Sequence, residues 1–319
     1  MTLVAASPPS APGGASGSSG TASGAGGSAN PRATSPGAGR ELSRTALTIL
    51  AMFLIGFAVW ALFGSRLYYD RAQNDAYATF RVSLAQATAP IGPTQPFNPG
   101  QLLAPGTPVA VLGIPEIHLN AVVFEGTSGQ VLEDGPGHLR DTPLPGQVGT
   151  SVIFGRHTAY GAPFSGLSAL RVGDTFSTIT GQGVSQYRVI DLRRAGDRVP
   201  PAPAAGQGRL ILVTADGPPL APSGVLRIDA DLISKANAAP PMLLFPADLS
   251  SAEQALGTDT VAWLPIVLWG GLLVSAVGVL SWLRHRWGRW QTWIVAVPVL
   301  CYLSLALADQ VTLLLPNLL

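Results

Sequence analysis

Charge and thiols are scarce in this chain. Only 12% of its 319 residues are charged, against roughly 25% in an average soluble domain, which excludes a single ordinary cytosolic globule. One cysteine, Cys301, excludes a disulfide framework and a Cys-rich zinc site. A net charge of +1 provides no long-range field and excludes nucleic acid as a natural partner. Lysine is reduced to Lys235, the other basic residues being Arg, a bias that reads as genome composition. The four His are scattered and show no metal-binding spacing. Glu133, Asp134 and Asp141 are too sparse to form a cation loop, and no phosphate-cradling glycine motif occurs, so neither metal nor cofactor is expected. Apolar residues are abundant at 47%, with a mean hydropathy of +0.33, and 37 Gly and 28 Pro call for many turns or an unfolded segment. A membrane protein with a modest soluble part remains.

Residues 1–44 begin with a stretch of 40 that holds nine Gly, nine Ala, eight Ser and five Pro and no aromatic residue. Such a composition cannot bury enough apolar area to offset chain entropy and predicts a disordered tail. It lacks the basic and then apolar order of a secretory signal. Three apolar runs follow, at 45–64, 261–283 and from about 290 to 315, the last interrupted by Pro298, Asp309 and Gln310. The first has no charge over 20 residues; at about 1.5 Å per residue this crosses a hydrocarbon core of roughly 30 Å. Arg32, Arg40 and Arg44 precede the first run, and Arg284, His285, Arg286 and Arg289 lie in a basic loop at 284–290, before a third span at 291–315. The positive-inside rule puts both clusters in the cytoplasm. The tail is then inside, and residues 65–260 and the C-terminus lie outside.

The outside part divides into a stalk and linker (65–107), a domain (108–235) and a second linker (236–260). The sequence of 66–90 allows a helical stalk, and 91–107 reads as linker. Short β-like runs between Gly/Pro turns predict strands at 109–114, 118–124, 150–155, 174–180, 184–192, 208–214 and 224–232. Helical turns are expected near 127–133 and 163–170. Strands at this spacing suggest a closed β-barrel or a sandwich. In the last strand Leu226, Ile228, Ala230 and Leu232 fall on one face and Val225, Arg227, Asp229 and Asp231 on the other, so Arg227 should point away from the core.

Between Leu112 and Phe176 the chain carries "IPEI", "FEGT", "GPGHL", "TPLPGQ", "YGAPF" and "LRVGD", followed by "LVTADG" and "VLRIDADL". These motifs, in this order over about 125 residues, resemble the sortase family, in its class E/F-like, actinobacterial type. The resemblance implies a closed β-barrel outside a bacterial plasma membrane. It also implies a cysteine transpeptidase chemistry in which a thiolate attacks a sorting signal such as Leu-Pro-x-Thr-Gly. A His manages protonation and an Arg holds the oxyanion.

Aligned on the family's motifs, the nucleophile's position holds Ala215, whose methyl group cannot attack a carbonyl. Cys301 lies within the third apolar run, out of reach. Arg156 occupies the His position with His157 following, and Val225 occupies the Arg position with Arg227 two residues on, about 6.6 Å along the strand. Inactivation of a working enzyme would alter the Cys alone; alteration of all three positions fits a pseudo-sortase with no intact catalytic residue. The candidate groove-lining residues are Arg156, His157, Thr214, Ala215 and Arg227. Their cationic groups would favour an anionic group on a ligand. His138 is expected to serve packing or a turn hydrogen bond, and His118 to face solvent.

Three readings stay open. The first is a non-catalytic peptide-binding or assembly module whose partner is a sorting-signal peptide, a pilin-like protein or an active sortase. The second is an enzyme working by a non-thiol route through Thr214 and His157. In the third, a structural membrane protein meets its partner through the two C-terminal spans.

Overall fold

The structure, a computed structural model, describes residues 64–218, 222–258, 263–287 and 289–319, together with Gly56 and Trp60. The tail expected at 1–44 lies outside the described residues, as does the first span at 45–64 apart from Gly56, Trp60 and Gly64. After helix α1 (Ser65–Ala85) comes a small hairpin of β1 (Thr94–Gln95) and β2 (Asn98–Leu102). Then follow β3 (Pro108–Ile114), β4 (Leu119–Glu125), the short helix α2 (Gly129–Asp134), β5 (Gly137–His138), β6 (Gly149–Phe154), β7 (Thr175–Thr180), β8 (Gly183–Arg193), β9 (Gly208–Asp216) and β10 (Gly224–Leu232). Two long helices, α3 (Trp263–Trp287) and α4 (Arg289–Thr312), come last.

Strands β3 to β10 form a closed barrel in the order β10-β8-β7-β3-β4-β5-β6-β9. Neighbours run antiparallel except β4 with β5 and β6 with β9. All seven expected strands are present, within two residues of their limits. The period of two sorts their side chains. Leu210 and Leu212 of β9 and Leu226, Ile228, Ala230 and Leu232 of β10 point inward, joining Leu112, Ile114, Val123, Ile153 and Phe176 in the barrel core. Each fully buried large side chain there contributes about 1.5–3 kcal/mol relative to exposure. The alternate residues Val213, Ala215 and Val225 point outward into a second apolar cluster with Leu132, Phe154 and Leu318.

Four stretches differ from expectation. Residues 66–90 do form a helix, but α1 lies against the barrel instead of standing free as a stalk. Ala76 and Phe80 are buried against Val111, Val122 and Phe124. Strand β4 pairs with β3 along one edge and with only two residues of β5 along the other, which leaves Val122 without a strand partner there. Gln73 of α1 takes that place: its Oε1 accepts from Val122 N at 2.7 Å and its Nε2 donates to Val122 O at 3.1 Å and Asp134 O at 2.8 Å. A buried backbone group needs such a partner.

The linker expected at 91–107 contains the β1–β2 hairpin, whose strands are too short for a periodicity signal. The linker expected at 236–260 is tied to the barrel, with Thr127 Oγ1 donating to Glu253 O at 2.6 Å. Finally, the basic loop expected at 284–290 is largely helical, since α3 runs on to Trp287 and α4 starts at Arg289. Arg, His and Trp do not break a helix, and the first residue that disfavours one is Gly288.

Both α3 and α4 are long and apolar enough to cross a membrane, and Pro298 sits inside α4 without ending it. They pack on each other, Trp269 meeting Tyr302 edge to face at 6.1 Å.

Candidate functional site

The outward cluster on β6, β9 and β10 is where the sequence-derived positions meet. Ala215 and Val225 are direct cross-strand partners and share one apolar surface with Val213 and Phe154. Ala215 is 2% exposed, within a cluster to which Leu132 and Leu318 also belong. Nothing on this patch carries a nucleophilic atom.

Strand β6 ends at Phe154, and Gly155 extends the pairing by donating its N–H to Val213 O at 3.0 Å. A Cβ at Gly155 would collide with the Phe164 ring, so there is room only for glycine there. Arg156 then swings beneath the outer layer and is 1% exposed. Its Nη2 donates to Gly129 O at 2.8 Å and contacts Glu133 Oε1 at 3.4 Å, while Nη1 donates to Leu319 O at 3.4 Å. Its guanidinium lies 4.7 Å from the centroid of the Tyr160 ring, a cation–π contact. Tyr160 holds a positive φ of 49°, a conformation non-Gly residues rarely adopt. It is fixed there by Arg156 on its face and by Tyr68 edge-on at 6.1 Å.

This guanidinium is the centre of a buried polar cluster built from three parts of the chain. The Tyr160 and Thr312 hydroxyls are 3.0 Å apart, Thr312 Oγ1 donates to Asp309 O at 2.6 Å and stands 3.3 Å from Glu133 Oε1, and Tyr160 OH donates to Asp309 Oδ1 at 3.4 Å. Burial pushes the Glu133 carboxyl up to about 7, against the pull of Arg156. Burial likewise lowers Arg156 from the usual guanidinium range, opposed by Glu133. Removing charges from water is costly, and only mutual pairing with further hydrogen bonds offsets it.

His157 is half-buried beyond the strand's end. Its backbone N–H donates to Leu318 O at 2.9 Å, while its buried Nδ1 has no hydrogen-bond partner. Thr214 does not line the groove. Strand alternation turns it to the opposite side from Ala215, and its hydroxyl donates to Gly155 O at 2.9 Å. Arg227 does project outward, partly exposed. No ion pair links it to Asp229 or Asp231, because Asp229 is held by Arg193 and Asp231 by Arg209. The structure thus gathers Arg156, His157 and Ala215 around residues 318 and 319, leaves Arg227 further along the same face, and removes Thr214 from it.

His138 is buried between Glu125, Thr142 and Pro143, its Nδ1 2.9 Å from Glu125 Oε2 and its Nε2 3.0 Å from Pro143 O. His118 is exposed, capping a single 3-10 turn just before β4. Cys301 lies exposed on α4. Sequence reasoning missed Glu133, Tyr160 and Thr312 as partners of Arg156, and it missed residues 316–319 as neighbours of the Ala215 cluster. The apolar run before Pro316 masked that last segment as the end of a span.

Residues 112–224 match the family model described as Sortase domain. Solved structures similar to this chain include a sortase D5 transpeptidase of Clostridium perfringens, 20% identical, covering 52% of this chain and 99% of that one with a TM-score of 0.42. Sortase E of Streptomyces avermitilis is 28% identical, covering 41% of this chain and 91% of that one with a TM-score of 0.35. A sortase C of Clostridium perfringens, solved with the C-terminal cell wall sorting motif, is 19% identical, with coverages of 51% and 89% and a TM-score of 0.39. No curated protein gives a match.

Proposed function

We propose, from the match of residues 112–224 to the Sortase domain, that this chain is a pseudo-sortase of class E/F-like, actinobacterial type. It is a membrane-anchored module at the bacterial cell surface that binds or positions a sorting-signal peptide, or a protein bearing one, without cleaving it. The observation that carries this reading is the methyl group of Ala215, packed with Val225 and Leu318 where the family's motif has its thiol. A covalent acyl intermediate needs a nucleophilic atom on that face. The non-thiol alternative through Thr214 is opposed by the hydroxyl's position on the other side of β9, already committed to Gly155 O.

The two long helices support a membrane placement with the barrel outside. The segment before α3 is tied to Thr127, and the end of α4 to Tyr160 and Glu133, so both barrel-side ends belong to one hairpin. Its far end carries Arg284, Arg286 and Arg289. The positive-inside rule then puts the barrel outside. The first span at 45–64 completes a three-span layout.

The test uses the full chain in lipid nanodiscs, as wild type and as Ala215→Cys, incubated with Leu-Pro-x-Thr-Gly-type peptides. Binding without cleavage by the wild type is expected. Turnover by the wild type would overturn the reading, and absence of binding in any form would favour the purely structural membrane protein.

A further inference from the structure

The turn at residues 316–319 is seated on the barrel by more than apolar contact. It is closed by Leu319 N donating to Pro316 O at 3.0 Å. Asn317 is 1% exposed, and its Nδ2 faces three backbone carbonyls, Thr127 O at 2.8 Å, Gln254 O at 2.9 Å and Ala252 O at 3.1 Å. Its backbone N–H donates to Gly257 O at 2.9 Å. Those acceptors come from two separate segments, the β4–α2 connection and the stretch before α3, which together make a socket for an N–H donor. Next to the socket, Leu318 packs in one cluster with Ala215, Val225 and Val213, and its carbonyl accepts from His157 N. The seat is incompletely satisfied, however. Asn317 Oδ1, His157 Nδ1 and Arg156 Nε are all buried without a hydrogen-bond partner. Unpaired buried polar atoms weaken a contact.

We infer that residues 316–319 are a tethered ligand of the groove over Ala215 and Val225. The carbonyl socket selects a side-chain carboxamide followed by leucine, and an external peptide enters only as this turn leaves. The seat is independent of what the groove binds in trans; the gating rests on the peptide-binding reading above. The chemistry of the occupant is explicit. Two N–H donors on Asn317 meet three carbonyl oxygens, so Asn317→Asp would place oxygen against oxygen and empty the socket. Only three residues, Leu313 to Leu315, separate the turn from the end of α4.

The test uses the full chain in nanodiscs with Cys301→Ser, so that Ala215→Cys supplies its one thiol, and reads the rate of reaction with a water-soluble maleimide. A parallel Val184→Cys chain, at a 62% exposed position on β8, reports an intact barrel. Deleting residues 316–319 should speed labelling at position 215 at least tenfold and leave position 184 unchanged. Asn317→Asp should do the same should the deletion fail to fold. Adding the peptide Leu-Pro-Asn-Leu-Leu to the deleted chain should restore protection, and the same peptide with Asp should not. Equal labelling of intact, deleted and Asn317→Asp chains would overturn the inference. So would sorting-signal peptides that bind the intact and deleted chains equally, an outcome that leaves the peptide-binding reading standing. Protection by the turn with no sorting-signal binding to the opened chain would instead sink that reading and keep the tethered ligand.

Discussion

The inside of the barrel and its outer groove are built on the two faces of the same strands, yet they follow different rules. The interior face of β9 and β10 is Leu, Ile and Ala packed with residues of neighbouring strands. The outer face, one residue out of phase, has apolar Ala215 and Val225 beside a buried Arg156–Glu133 pair and a turn that comes from the end of α4. The interior is held by area removed from water, which tolerates no ligand and needs none. The groove is held by charges and hydrogen bonds as well as apolar contact, and three of its polar atoms lack a hydrogen-bond partner, as do the Ser151, Thr178 and Ser185 hydroxyls on the barrel strands. What sets the outer seat apart is its make-up, a buried ion pair and a turn from the end of α4 laid on apolar strand residues.

Arg156→Ala should break the outer side hardest. It leaves Glu133 buried without its cation, and removal of one partner of a buried pair costs about 3–5 kcal/mol. The joint change Arg156→Met with Glu133→Gln should cost far less. Hydrogen exchange of the barrel amides in the full chain would measure both; tryptophan fluorescence would not, since all seven Trp lie outside the barrel strands. An equal loss in the single and double variants would show that the pair is not coupled.

On the interior side, Leu212→Ala should cost about 2–5 kcal/mol through the cavity it leaves. It should open the whole barrel in the same exchange experiment without first freeing residues 316–319. If the turn's amides at 317–319 lost protection before the strands, the two faces would be less separate than the packing implies.

Acidity should act on the groove and spare the interior. The Glu133 carboxyl faces Arg156 and Tyr160 of the barrel, Asp309 and Thr312 of α4, and its neighbour Asp134 with Tyr68. Its folded value of about 7 lies above the ordinary value of 4.5, so the fold prefers it protonated. The corresponding stability is complete below pH 4.5 and is lost as pH rises through about 7. Between pH 5 and pH 8 the protection of residues 317–319 should fall by the equivalent of about 1–3 kcal/mol, and Glu133→Gln should flatten that profile.

The smallest effect expected is at Thr214, on the face of β9 opposite Ala215. Thr214→Val removes the donor to Gly155 O and should cost about 1 kcal/mol while leaving peptide binding unchanged. A loss of peptide binding larger than the loss of stability would return Thr214 to the site.

Strand periodicity, Gly/Pro punctuation and the apolar runs were enough to place the strands and the two long helices, while barrel and sandwich stayed open until the family resemblance implied closure; those signals are local, since a period of two or a length of about 20 apolar residues needs no distant partner. The motifs also singled out positions 156, 157, 215, 225 and 227, and alternation along β9 and β10 told which of them share a face. What surrounds those positions depended on contacts far apart in the chain. Arg156 reads as a surface cation until Glu133 and the end of α4 enclose it; α1 reads as a stalk until Gln73 meets the open edge of β4. Residues 316–319 read as the frayed end of an apolar run until the carbonyls of Thr127, Ala252 and Gln254 converge on Asn317. The backbone pattern follows from each residue's neighbours in sequence. The occupied groove was decided by tertiary structure alone, because its walls and its ligand come from segments that only folding brings together.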